Sequence, residues 1–536
     1  MPTQIEPLIA PRGGLRYDIP ADLINLTDMS DCRNVFFEDG LVKKRYGFVQ
    51  FGSNLPLDGA VRGIDEYVNF AGGRWLMVMT ADEIYQWSPS DTKWNSISDA
   101  QGLYGQGLYG AGAYGANTTE TFSISDTDFF SYDHVRKNTE VNPWWVMTNG
   151  VDPIKKKTGA TTISDLITDY PTGVTSLLAK HVLEFKTYLL LLDVTENGNR
   201  YPQRVRCSDT AVPDDFVNGN ATYWDLTGPD WIMGGVRFRG DYIAICKERS
   251  IWLGYATGDT SVFEFDRKTT GIGCAAGKTI KNVEDTVIYM SHDDVYAFNG
   301  IDNESIAGSV REKMFKGLNT DKIDQCHAKV IEDQKEYWLF MPSTTSSYCD
   351  IAWNLNYETG KWTRHSFSDY LTIAGDYRKQ SAITIGELTG TIGEQNWRFG
   401  DRLTTAAMPV VLLGDQNGYV YEYDRLSNND DGMAIDAWFS TKDFNPTQMG
   451  QRFFINRIDV YYTGAGLDVS YSTDKGVTWK TIGSLSSSNN FETPQRLFLK
   501  LDCLMCRIRF MNNTAGQHFE FSRANIYWRP SGLRLN

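Results

Sequence analysis

An all-β fold is what this sequence predicts: a β-propeller of about six to eight blades, with an extended N-terminal arm and a C-terminal β-sandwich. Three observations carry that reading. Asn-Gly and Asp-Gly pairs punctuate the chain at 39–40, 58–59, 149–150, 197–198, 218–219, 299–300, 417–418 and 431–432. Such pairs favour type I′ hairpins because both central residues tolerate positive φ. Between them lie short runs of strand length and β-type composition, such as "RWLMVMT" (74–80), "TYLLLLDV" (187–194) and "EYWLFMP" (336–342). Finally, one plan recurs at 82–98, 250–266, 293–306, 351–367 and 418–432: an apolar-aromatic strand, a polar turn, and often a second strand. Diverged repeats of one small antiparallel sheet are the signature of a propeller.

Taken in order, residues 1–55 read as an arm, rich in proline (Pro2, Pro7, Pro11, Pro20), that leads into the fold through a hairpin at Asp39-Gly40. Residues 56–430 hold the propeller. Two of its repeats close alike, "DTKW" and "TGKW", each a turn that delivers a tryptophan, Trp94 and Trp362. One segment reads as a helix: "SVREKMFKG" (309–317), with a capping box from Ser309 to Glu312 and a stop at Gly317. Residues 431–536 carry seven or so evenly spaced strands, the pattern of a sandwich.

Inside the propeller segment, "GLYGQGLYGAGAYG" (102–115) breaks every regular period. Tyr104, Tyr109 and Tyr114 recur every five residues among glycines, which suits neither a strand nor a helix. Glycine lets the chain fold back closely, and each tyrosine offers a flat apolar face with a polar tip. The three tyrosines are candidates for contact with a neighbouring subunit.

Composition bounds the chemistry. Hydrophobic residues at 41% allow a real core, and the formal charge of −15 argues against a sequence-independent grip on nucleic acid. The eight cysteines are scattered and read as buried thiols of a chain made in a reducing cytoplasm. "MPTQIEPLIAPRGG" lacks a basic and an apolar segment, so no signal peptide is expected, and no run approaches the roughly 20 apolar residues of a membrane span.

Motif by motif, the chemistry stays quiet. "STDKGVTW" (472–479) matches an Asp box, in which Asp474 and Gly476 make a tight turn and Trp479 packs the hairpin onto its sheet; it reads as structural. "GIGCAAGKT" (271–279) lacks the first glycine of a phosphate-binding loop, and a strand-like segment follows where a helix is required. The six histidines make no metal or triad spacing, and acidic pairs such as Asp126/Asp128 and Asp430/Asp431 read as solvated turns. No catalytic residue, cofactor or metal is expected. Glycosidases gather carboxylates from distant strands, so this silence leaves that class open.

Three stretches together resemble a family of tailed-bacteriophage virion proteins, the tail nozzles: "CRNVFFEDGLVKKRYGFVQFG" (32–52), the strands from "YPQRVRCSDTAVPDDFVNG" to "DTVIYMSHDDVYAFNG" (201–300), and the terminal "VSYSTDKGVTWK" with "RIRFMNN". The resemblance implies a structural, non-enzymatic protein. It would form a homo-oligomeric ring, hexameric in the family, at the distal end of the tail. Its partners would be the portal-adaptor and tail-fibre or tail-tip proteins. It would hold the genome, then pass double-stranded DNA without binding it specifically; if part of the −15 charge lines the channel, the wall repels the DNA. The protein would be assembled in the host cytoplasm and found in the virion. Two alternatives stand beside it: a propeller glycosidase or depolymerase, and a receptor-binding tail-tip or fibre-attachment module.

Overall fold

A computed structural model describes residues 3–9, 13–52, 56–70, 72–89, 92–97, 122–125, 128–159, 163–167, 169–379, 409–446 and 451–533. The fold is all-β, a β-propeller with a β-sandwich. Five blades are separate four-stranded antiparallel meanders, beginning at Val61, Ser131, Leu177, Ile232 and Lys281. Further blade strands belong to a longer sheet that includes His327–Ile331, Glu336–Met341, Cys349–Asn356 and Lys361–Tyr377.

The chain separates into two compact units, Met1–Val49 with Asp230–Leu371 and Tyr423–Asn536, and Gln50–Pro229 with Thr372–Glu422. The second unit holds the first three meanders. Side chains on one blade bond to the backbone of its neighbour. Thr372 Oγ1 donates to Val61 O at 2.6 Å, and Tyr132 Oη donates to Ile64 O at 2.7 Å. Asp133 Oδ2 accepts from Glu184 N at 2.7 Å, and Ser131 Oγ accepts from Val182 N at 3.1 Å. These bonds satisfy polar groups that the apolar layers between blades would otherwise strand. The layers themselves are filled by aliphatic and aromatic side chains, such as Val135, Trp144, Leu189 and Leu191 between the second and third blades.

The first unit holds the blades from Ile232 and Lys281 and the sandwich. Seven strands from Ala437 onward supply most of the sandwich. The arm does not stand apart from it. Gln4–Ile9 and Leu41–Lys44 pair with Phe519–Leu533, and Asp31–Arg33 pairs with Ala437–Ser440. A buried bidentate ion pair ties the leading hairpin to the strand that precedes the sandwich: Arg45 Nη1 donates to Asp430 Oδ1 at 2.7 Å and Nη2 donates to Oδ2. Asp430 is thus 4% exposed and is no solvated turn residue.

Two local expectations are corrected. Of the eight Asn-Gly and Asp-Gly pairs, only those at 39–40, 197–198 and 431–432 have positive φ at both residues. Elsewhere glycine alone is left-handed, and at Asn149 and Asn299 the side-chain oxygen accepts two following backbone N–H groups instead. Asparagine can close a turn either way, through its backbone or as an Asx turn. The helix is real but shorter, Arg311–Lys316, and Ser309 does not cap it: the N-cap is Val310, with no side-chain cap bond. Gly317 ends it with φ −87°, not left-handed.

Candidate functional site

The Asp box folds as a hairpin turn. Ser472 Oγ donates to Asp474 Oδ1 at 2.6 Å, Asp474 accepts from Thr478 N at 2.9 Å, and Gly476 N donates to Ser472 Oγ at 2.8 Å. Those bonds hold the Asp474 carboxyl well below its usual range. Gly476 sits at φ +90°, and Arg509 lies 4.0 Å over the Trp479 ring. The Ser472, Asp474 and Thr478 side chains thus bond within the turn, as a structural hairpin requires. Tyr104, Tyr109 and Tyr114 lie outside the described residues.

A reactive arrangement is present elsewhere, in the second unit. Val61–Val68 is a largely buried strand that carries Arg62 near its start and Asp65 and Glu66 in its middle. Asp65 and Tyr67, two residues apart, share one face, and both meet the second blade. Trp145 Nε1 donates to Asp65 Oδ2 at 2.8 Å, and His134 Nε2 lies 3.7 Å from the same oxygen. The His134 ring stacks on Tyr67 at 6.0 Å between centroids, with 5° between planes. Tyr67 is itself fixed by donating to Pro143 O and accepting from Gly159 N.

Burial raises the Asp65 carboxyl above its ordinary pKa, against the lowering effects of His134 and the Trp145 N–H. The side chain nonetheless keeps 20% of its surface exposed, so its proton can be reached. Glu66, on the opposite face, pairs with Arg74 at 2.8 Å.

A second carboxylate comes from the strand end Thr372–Tyr377. Gly375 packs so closely that a Cβ there would lie 2.6 Å from Ile64 O. The next residue, exposed Asp376, is thereby set beside the Asp65 strand. Burial first, then the charges of Asp65 and Asp376, drive the Tyr132 phenol far up. Asp133 has its two oxygens occupied by the backbone N–H groups of His134 and Glu184. Sequence reading missed this cluster because its members come from separate blades. The available signal was charge inside apolar strands, "IDEY" and "YDHV".

Among the described residues, no three His, Cys, Asp or Glu side chains are placed to hold a metal ion. The segment 271–279 contains only a single 3-10 turn, Gly277–Thr279, followed by the strand Lys281–Val283.

Fold and site together define a β-propeller protein with an acid–imidazole pair between adjacent blades. No family model matches the chain, and no curated protein matches it. Among solved structures, an exo-beta-1,3-galactanase from Phanerochaete chrysosporium is similar at 10% identity, covering 90% of this chain and 100% of that one, with a TM-score of 0.25. A glycoside hydrolase family 43 arabinoxylan arabinofuranohydrolase from Bacillus subtilis gives 11% identity, coverage of 98% and 100%, and a TM-score of 0.24. PorZ, a surface component of the type-IX secretion system of Porphyromonas gingivalis, gives 9% identity, coverage of 82% and 48%, and a TM-score of 0.31. These findings correct the expectation of a structural phage nozzle without enzymatic activity: the similar structures are glycoside hydrolases and a secretion component. TM-scores this low carry over no residue and no substrate.

Proposed function

We propose that this protein hydrolyses glycosidic bonds, with Asp65 as the proton donor and Asp376 as the second carboxylate. One observation carries the reading: a partly exposed carboxyl, raised in pKa by burial, sits one close strand contact away from an exposed carboxylate. A glycosidase uses two carboxyl groups in different roles, one of them as proton donor, and burial moves Asp65 in that direction. His134, 3.7 Å from Oδ2 and stacked on Tyr67, positions the acid. Trp145 fixes the carboxyl's orientation by donating to Oδ2.

The test is reducing-end release from a panel of plant and bacterial polysaccharides. The wild-type chain is expected to cleave at least one. Asp65→Asn, which keeps the bond from Trp145, is expected to lose about 10²- to 10⁴-fold in kcat without a change in melting temperature. A wild-type chain inert on the whole panel, or an Asp65→Asn variant as active as wild type, overturns the reading.

A further inference from the structure

A cleft of about 360 Å³ lies in the first unit, between the blade from Ile232 to Thr270 and the turn Asn299–Ile301. That volume falls within the about 300–1,000 Å³ usual for small-ligand sites. Its floor is Phe238, 1% exposed, which packs on Phe298 at 6.0 Å between centroids. Its wall is fixed by Gly300 at φ +99°, where a Cβ would press to 3.0 Å from the Phe238 ring.

The rim combines aromatic faces with charge. Tyr242 and Tyr255 are a cross-strand pair, edge to face at 6.2 Å, and Tyr242 is 38% exposed. Ile301 stands opposite at 72% exposure. Arg239 holds its place through Nε and Nη2, which donate to Asp285 O at 3.3 and 3.1 Å. Its Nη1 makes neither of those bonds. Lys268 faces Asp266 at 3.4 Å, where each remains about a third to a half exposed.

From this arrangement we infer that the cleft binds an acidic saccharide, a short oligosaccharide containing a uronic acid. Tyrosine faces take the C–H side of a sugar ring, and Asp266 accepts from its hydroxyls. Arg239 and Lys268 then receive one carboxylate, with Arg239 able to do so through the guanidinium edge that Nη1 completes. Lys268 faces Asp266 and Arg239 lies 4.0 Å from the Asp285 carboxylate, so the rim is charged and suits a polar ligand better than a purely apolar one. A polyanion such as nucleic acid would need a row of cations, and here two cations share the rim with Asp266. The inference concerns binding in the first unit and is independent of hydrolysis at Asp65.

The experiment is titration calorimetry of the full chain with trigalacturonate, with neutral galactotriose as the control. Trigalacturonate is expected to bind, and neutral galactotriose to bind about tenfold or more weakly. Arg239→Gln is expected to weaken the acidic ligand about tenfold or more while leaving the neutral one unchanged. Tyr242→Ala is expected to weaken both. Each variant is checked against the wild-type melting curve, and both side chains are exposed, so folding is preserved. No binding of trigalacturonate at millimolar concentration overturns the inference. So does equal affinity for the acidic and neutral sugars, or affinity untouched in both variants.

Discussion

Arg45 and Asp430 show what a single pair can hold. Their side chains are 1% and 5% exposed, and the guanidinium also donates from Nε to Asn34 Oδ1 at 2.9 Å and lies 4.8 Å from the Phe367 ring. Removing one partner leaves the other charge buried without its counterion. Arg45→Met is expected to destabilise the chain by about 3–5 kcal/mol, and Arg45→Met with Asp430→Leu to recover most of that loss. Urea unfolding of the three chains checks it.

Glu336 makes a different residue-scale prediction. Burial pushes its carboxyl up to about 7, although Trp338 Nε1 donates to it at 2.6 Å. A carboxyl whose folded pKa is raised binds its proton more tightly folded than unfolded. Its contribution is therefore complete below about pH 4.5 and declines as pH rises towards 7. The span corresponds to roughly 3 kcal/mol. Glu336→Gln is expected to flatten that part of the stability–pH curve, measured as melting temperature from pH 4 to 8.

At the scale of strands and blades, the close approaches matter more than the ladders. Gly375→Ala would drive a Cβ into backbone rather than into a side chain that could swing aside. It is expected to cost about 1–3 kcal/mol and, on the proposed hydrolytic reading, to lower activity by shifting the strand that carries Asp376. Tyr132→Phe removes one bond between blades and is expected to cost about 1 kcal/mol. Thermal unfolding of both variants separates the two effects.

The strands were legible in sequence because their turns and apolar runs are local signals; "RWLMVMT" is the strand Arg74–Thr80 residue for residue. The turn types were less so, since an asparagine side chain and its backbone compete to close the same turn. The misread residues share a cause. Asp430 reads as solvated in sequence because its partner Arg45 lies 385 positions away. Asp65 gave no motif because Trp145, its hydrogen-bond donor, comes from another blade, 80 positions on. Patterns along a chain report what neighbours do, and a site built across blades leaves only charge in an apolar strand as its trace.

For the molecule as a whole, all eight cysteines are buried thiols. Burial pushes Cys32 and Cys274 up to about 12 and Cys207 up to about 11, so thiolate is scarce as well as shielded. A thiol reagent at pH 8 is expected to leave the native chain unlabelled and to modify all 8 after denaturation. Labelling of the native protein at any cysteine would place that residue in a region that opens readily.

The pairing of the earliest strands with the last one has a consequence for synthesis. Gln4–Ile9 adds to Phe519–Leu533, and Val42 stands opposite Phe521. At about 5–20 residues per second, a ribosome needs roughly 25–100 s to supply that partner. Throughout that interval the first-made strands wait with unsatisfied edges while the blades behind them emerge and collapse. A nascent chain held short of Phe519–Leu533, a 15-residue strand, would remain protease-sensitive at Gln4–Ile9, and synthesis of that strand would be the event that closes this part of the sandwich.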